Sequence, residues 1–559
     1  MRILLTLLCV LLALPVLGVL AAWFSFDAAA WSVLAHQAKT VLAGYALQSL
    51  LLSAGVAIGV ATVGAGAAAA VALFEFPGRR VFEWALLLPL AMPAYVLAYA
   101  YTDFLQFSGP LQVALRGLTG IEGALWPDVR SLPGAVLLFV LALYPYVYLL
   151  VRTSLAERGV HLMEAARLLG AGFWRRVREV ALPLSRPALV AGVALALMET
   201  LADYGVGAYF GLTTLSTGIF KAWLVMNDRV AAAQLASVLL VLVAALLWAE
   251  RRARSTLRFA ATRISAADGR EARPVVLRGR LALLAWVLCA LPVLLGFALP
   301  LALLARLVWR ESLYGDIGLP WARFARWCAN SFELAALAAV AAAALALALV
   351  FVARVTAPRA LRSRALRAGT ALVSLGYAVP GTVIAVGILL PLGAVQAQWP
   401  DTPLAAPVTG TVAALLLAYL VRFSAVALQS VDVGYTRLPP SLDDSARMLG
   451  ASRGRLLAQV HAPLLKRSLF AAMLLVFVDV MKELPATLVL RPFNSDTLAV
   501  VAYNLARDER LAEAALPSLA IVVVGLLPVL LLLRAMERSG DLARQQPQLP
   551  RGAASTLDS

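Results

Sequence analysis

The chain has 559 residues; 62% are hydrophobic, only 14% are charged, and the mean hydropathy is +0.85. That balance excludes a soluble globular protein, which at this length needs far more polar surface to cover its core. The net charge of +17 does not signal nucleic acid, because the Arg residues sit in short loops between apolar runs, as the positive-inside rule and attraction to anionic lipid require. Cys9, Cys289 and Cys328, with His36, His161 and His461, show neither metal-ligand spacing nor a disulfide framework.

Apolar runs of roughly 20 residues predict membrane-spanning helices, being too long and continuous for barrel strands. The run 3–24 follows Met1-Arg2 and reads as a first helix rather than a cleaved leader. Runs at 41–73, 82–104, 133–151, 188–209 and 231–249 complete a first half, 1–250. Residues 251–280 carry nine arginines and read as a cytoplasmic linker. A second half, 281–535, has runs at 281–308, 331–353, 369–393, 407–429, 467–485 and 514–533, and 536–559 is expected to be a disordered cytoplasmic tail. The fold class is therefore an all-α polytopic membrane protein of about twelve transmembrane helices. With both termini and the linker in the cytoplasm, most of the 48 Lys and Arg residues fall on that side. Six helices per half is an even number, so the halves are parallel rather than inverted repeats.

The duplication is sharpest in two polar segments. Glu164, Ala165, Ala166, Gly170 and Pro183 are matched by Asp444, Ser445, Ala446, Gly450 and Pro463, all at one constant offset. Weaker echoes pair Gln48-Ser49-Leu50 with Asn330-Ser331-Phe332, and Ala91-Met92-Pro93 with Ala378-Val379-Pro380. Leu162, Ala165, Ala166 and Leu169 recur at helical spacing. Glu164 is expected in the first turn, where a carboxylate favours the helix dipole. Gly170 suits the left-handed residue that ends a helix. Such a short helix, held off the membrane before a proline-led span, has the geometry to dock into a groove on a soluble partner; lying on lipid is the plainer alternative. His161 and His461 read as neutral loop histidines, and Tyr144, Tyr146 and Tyr148 around Pro145 as an interfacial belt at a kink.

Within the spans, Glu199 and Asp203 are four apart and share a helical face; Asp479 and Glu483 occupy the equivalent positions of the second half, at the same offset as the motifs. A carboxylate in hydrocarbon is costly unless it faces protein or water. Two readings stand: the four acids line a cation path, since hard cations favour oxygen ligands, or they are structural and pair with Lys482 or another base.

The Glu-Ala-Ala, Gly and Leu-Pro spacing of the first copy resembles the signature of binding-protein-dependent ABC importer permeases, with Val180 and Leu182 in register. The second copy departs, with Asp444, Ser445 and Ala462 replacing Glu, Ala and Leu. The fused double arrangement is similar to permeases of the ferric-iron type. The matching stretches are Ala202-Asp203-Tyr204-Gly205, Tyr209-Phe210-Gly211, Thr217-Gly218-Ile219 and Ala222-Trp223. In the second half they are Lys482 through Thr487, Leu490-Arg491-Pro492-Phe493 and Asp496-Thr497-Leu498-Ala499. The resemblance implies a type I permease fold in a bacterial inner membrane, with coupling helices near 161–172 and 441–452. It implies two copies of an ABC ATP-binding subunit and an external, periplasmic solute-binding protein as partners. Ferric iron is the implied cargo; thiamine, sulfate, polyamine or phosphonate carriers share the framework, and an ion-coupled secondary transporter is the rival from another class. The chain has no G-x-x-x-x-G-K-[ST] segment, so ATP is expected to be used by a partner, with no enzymatic activity and no bound cofactor here.

Overall fold

The structure, a computed structural model, describes residues 2–25, 28–156, 160–261, 275–314, 319–355, 373, 376–399 and 411–544. It is helical almost throughout. The principal helices, in chain order, are α1 (Arg2–Ala21), α2 (Leu42–Leu73), α3 (Ala94–Leu105), α4 (Leu132–Ser154), α5 (Leu182–Ala202) and α6 (Arg229–Ala261). After the linker come α7 (Arg280–Tyr314), α8 (Trp321–Val355), α9 (Gly381–Gln398), α10 (Val412–Tyr435), α11 (Lys466–Met481) and α12 (Leu511–Arg544). Among the described residues eight helices are long and apolar enough to cross a membrane, or ten if each sharply bent pair is one span. This is fewer than the expected twelve because several runs are broken by local chemistry and the run 369–393 begins outside the described residues.

The breaks share a physical origin. The predicted run 82–104 bends by 90°: Leu88–Ala91 form a tight 3₁₀ turn, Pro93 is extended at φ −60°, ψ 144°, and α3 starts after it. Pro380 does the same at φ −58°, ψ 141°, between the 3₁₀ turn Gly376–Ala378 and α9. A proline cannot donate to the preceding turn, and it pushes the residue before it out of helical space. The predicted runs 188–209 and 467–485 also stop early. α5 ends at Ala202 and a separate helix Gly205–Tyr209 follows; α11 ends at Met481 and Pro485–Leu490 follows. Acidic caps cause these breaks, as described below. The run 369–393 begins outside the described residues, as does 407–429. α6 runs on to Ala261 and α12 to Arg544, into the segments expected as linker and tail.

Apolar burial then assembles the helices. α2, α4 and α5 pack on one another, and so do α8, α10 and α11. The two trios share a detail that ties a short helix to each: Leu215 N donates to Ser49 Oγ at 2.9 Å, and Leu498 N donates to Ser331 Oγ at 2.8 Å. Each bond satisfies a buried amide at the start of a short helix that has no partner within its own turn. The outer helices cross over. α1 lies along α9 of the second half, while α7 lies against α2 and α3 of the first. A two-stranded pairing of Phe74–Glu75 with Val275–Val276 ties the loop after α2 to the entrance of α7.

Candidate functional site

Glu164, Ala165 and Ala166 lie in the helix Val160–Leu168, and Asp444, Ser445 and Ala446 in Pro440–Met448. Both helices end in the same way. Gly170 has φ +82° and Gly450 φ +81°, the left-handed region open to glycine without penalty. Gly170 N donates to Arg167 O at 3.0 Å and Ala171 N to Ala166 O at 3.0 Å; in the second copy Gly450 N reaches Arg447 O at 2.9 Å and Ala451 N reaches Ala446 O at 3.0 Å. This is the paired closure that satisfies the last carbonyls of a helix. The cap throws two large apolar residues outward on each motif: Leu168 and Leu169 are 84% and 88% exposed, Met448 and Leu449 90% and 88%. One expectation is corrected. Val160 is already helical, so Glu164 falls one turn in rather than in the first turn. Pro183 and Pro463 stand in first turns, each after a π-helical turn, Val177–Ala181 and Leu456–His461.

Beneath the second motif lies a polar clamp the sequence reading missed. Asp443 accepts from Arg354 Nε at 2.8 Å and pairs with His461 Nε2 at 2.9 Å, while His461 Nδ1 meets the Tyr435 hydroxyl at 3.0 Å. Arg354 also donates to the carbonyls of Tyr435, Leu438 and Pro439. Burial opposes ionisation of Asp443, but the bonds from Arg354 and His461 outweigh it and hold the carboxyl below the usual carboxylate range. His461 is thus a buried helical residue at the base of the second motif, not a loop histidine. At the equivalent positions of the first motif stand Met163 and Ala181, both buried and apolar. The His161 side chain lies outside the described residues.

All four membrane acids line one cavity of about 120 Å³. Glu199 accepts from the Tyr377 hydroxyl at 2.8 Å and faces Arg422 at 3.8 Å. Asp203 accepts from Val206 N at 2.8 Å, and Glu483 from Ala486 N and Thr487 N, each at 2.9 Å. These last two acids therefore cap the short helices Gly205–Tyr209 and Pro485–Leu490, and their carboxylates end α5 and α11. Asp479 pairs with Lys482 at 2.9 Å. The structural reading thus covers part of each acid's bonding, while the cavity gathers all four. Tyr95, Tyr146 and Tyr377 share its wall. Tyr146 is therefore a cavity residue, and Tyr144 and Tyr148 are fully buried, so the interfacial-belt reading of this trio is corrected. Its tyrosines lie on a helix that packs on both sides.

Gly381 brings the start of α9 against this site. A Cβ there would lie 2.8 Å from Glu483 Oε1 and 3.0 Å from Arg422 Nη1, so a larger residue would have to displace one of these charged tips. Tyr377 reaching Glu199, and Tyr95 donating to Lys482 O at 3.2 Å, make the cavity a joint product of both halves. Among the described residues no three His, Cys, Asp or Glu side chains are arranged to hold a metal ion. Arg422 and Tyr377 carried no motif in the sequence; only their charge or hydroxyl within an apolar run marked them.

Bundled spans crossing between two halves, a shared polar cavity within them and two projecting capped helices define a membrane transport permease. The family described as binding-protein-dependent transport system inner membrane component matches residues 61–254, and the chain belongs to that family. It is 24% identical over 497 residues to an Fe(3+)-transport system permease protein of Haemophilus influenzae, spanning 87% of this chain and 88% of that one. It is 33% identical over 135 residues to a molybdenum transport system permease protein of Escherichia coli, 24% of this chain and 57% of the relative. The Haemophilus influenzae molybdenum permease is 30% identical over 166 residues, 30% of this chain and 67% of the relative.

Proposed function

We propose that this permease forms the translocation path of an ATP-driven importer for ferric iron in a bacterial inner membrane, with both termini in the cytoplasm. A periplasmic binding protein hands the cation to the outer mouth. Two ATP-binding subunits dock on the helices ending at Gly170 and Gly450, with Glu164, Ala165, Ala166 and Pro183, and Asp444, Ser445, Ala446 and Pro463, shaping each docking element. Closure of the ATPases draws those helices together, and the duplicated bundle rocks between inward and outward states. The chain itself is the transport subunit, and hydrolysis belongs to its partners. The observation that carries the cargo is extent: the ferric relative aligns along 87% of this chain and 88% of its own length, through both halves, while the two shorter molybdenum permeases align over 57% and 67% of theirs. The cavity chemistry supports it, since Glu199, Asp203, Asp479 and Glu483 outnumber its two bases, Arg422 and Lys482, and a hard cation prefers such oxygen ligands.

The exposed pairs Leu168-Leu169 and Met448-Leu449 support the docking roles, because apolar side chains held out at a rigid cap suit a groove on a soluble partner. Uptake of radiolabelled iron by vesicles holding the chain, its ATPase and its binding protein tests the reading. Glu199→Gln, Asp203→Asn, Asp479→Asn and Glu483→Gln are each assayed alongside, and Leu169→Glu with Leu449→Glu is tested for loss of ATPase co-purification. Saturable, ATP-dependent iron uptake that falls in the acid variants is the expected result. Uptake of molybdate but not iron would overturn the cargo; transport on an ion gradient without an ATPase would overturn the whole scheme.

A further inference from the structure

Arg422 is a loosely held charge in the protein's interior. Only 8% of it is exposed, yet its Nε and Nη1 atoms have no hydrogen-bond partner. It stands between a carboxylate of each half, 3.8 Å from Glu199 and 3.9 Å from Glu483. Both distances lie past hydrogen-bond reach, so the guanidinium is shared by two acids and clasped by neither. A buried cation is ordinarily locked by short, bidentate bonds that offset its lost hydration. Arg422 lacks that lock, and its counterpart in the first half, on the wall of the same cavity, is Ala142. The site therefore has one guanidinium rather than a symmetric pair.

We infer that Arg422 is a tethered counter-ion: in the substrate-free permease its guanidinium stands against the carboxylates on the wall of the acidic cavity, and an incoming hard multivalent cation displaces it from them. This rests on the cation-path reading above and adds a selectivity mechanism to it. A monovalent ion brings no more charge than the guanidinium it must expel and gains little by exchange. A trivalent ion brings three times the attraction to the same carboxylates and finds carboxylate and phenol oxygens from Glu199, Tyr146 and Tyr377 around it. Arg422 is then a specificity-determining residue, keeping small monovalent cations out of the acidic site.

The test uses the purified full chain in nanodiscs, without ATPase or binding protein, and terbium(III) as a hard trivalent probe read by tyrosine-sensitised luminescence. Arg422→Gln should bind terbium at least about tenfold more tightly than the unaltered chain, an effect of about 1.4 kcal/mol. Arg422→Lys, which keeps the charge, should bind as the unaltered chain does. Adding Glu199→Gln to Arg422→Gln should remove the gain. If the glutamine variant does not fold, Arg422→Met preserves the stem and is read in the same way. Unchanged affinity on removing the guanidinium overturns the inference, as does a gain that survives loss of Glu199. The vesicle assay separates this from a failure of the transport reading. Loss of molybdate uptake in Arg422→Gln with no gain in terbium binding would make Arg422 an anion ligand, whereas iron uptake with unmoved terbium affinity leaves the transport reading standing and removes only the counter-ion.

Discussion

Replacing Asp443 by alanine probes how the helix Pro440–Met448 is held to the bundle. The carboxylate accepts from Arg354 at 2.8 and 3.4 Å and pairs with His461 at 2.9 Å. Without it His461, only 1% exposed, loses the partner of its Nε2, while Arg354 keeps its three backbone carbonyls. Breaking a fully buried pair costs about 3–5 kcal/mol because the remaining charge is stranded. Arg354 is not stranded, so we expect about 2–3 kcal/mol here. That corresponds to roughly 30- to 150-fold more frequent opening of the helix Pro440–Met448. Amide hydrogen exchange of the full chain in nanodiscs reads it directly, with Val160–Leu168 as the internal control, since apolar Met163 and Ala181 stand there in place of Asp443 and His461. Faster exchange confined to 440–448 is expected. Unchanged exchange there, or equal loosening of both helices, would refute the clamp. The pH dependence has a fixed sign. The folded pKa of Asp443 lies below its ordinary value of 3.8, so the carboxylate's contribution is complete above that value and is lost as pH falls through the lower, folded one. Protection of 440–448, corrected for intrinsic rates, should hold from neutral pH down to 3.8 and then drop, and the alanine variant should show no such step.

Two further perturbations test the elements around the site. Gly170→Ala and Gly450→Ala meet no neighbouring atom, so each should cost only the backbone penalty of a left-handed L-residue, about 1–2 kcal/mol. Faster exchange of the preceding helix and weaker ATPase co-purification are the readouts, and normal values in both would argue against the shared cap. Ser49→Ala and Ser331→Ala each orphan a buried amide, Leu215 N or Leu498 N, at about 1–3 kcal/mol. Thermal unfolding should show the two losses adding in the double variant, because the sites share no partner, and a silent single variant would remove the claim that these bonds tie the short helices to the trios.

Much of this protein is legible in one dimension. Apolar run length alone separates membrane from soluble architecture, because backbone amides in lipid must be satisfied within their own helix. The spacing from Glu164 to Pro183, met again from Asp444 to Pro463, locates both short capped helices, and Gly170 and Gly450 fall where a left-handed closure needs them. Glycine is a local signal, since its conformational freedom belongs to the residue itself. The acids Glu199, Asp203, Asp479 and Glu483 stand out for a similar reason: charge within an apolar run is costly wherever the run ends up.

What the sequence could not decide is which charges meet. Whether Asp203 and Glu483 cap helices or face a path depends on where their carboxylates point once α5 and α11 stop, and both turn out to cap within the wall of a shared cavity. Arg422 carries no motif and gains its meaning from Glu199 and Glu483, both remote from it along the chain. The clamp of Arg354, Asp443, His461 and Tyr435 is likewise drawn from four separate turns. Local propensity and hydropathy are sums over neighbours in the chain, whereas electrostatic pairing depends on distance in space, and only folding supplies that distance.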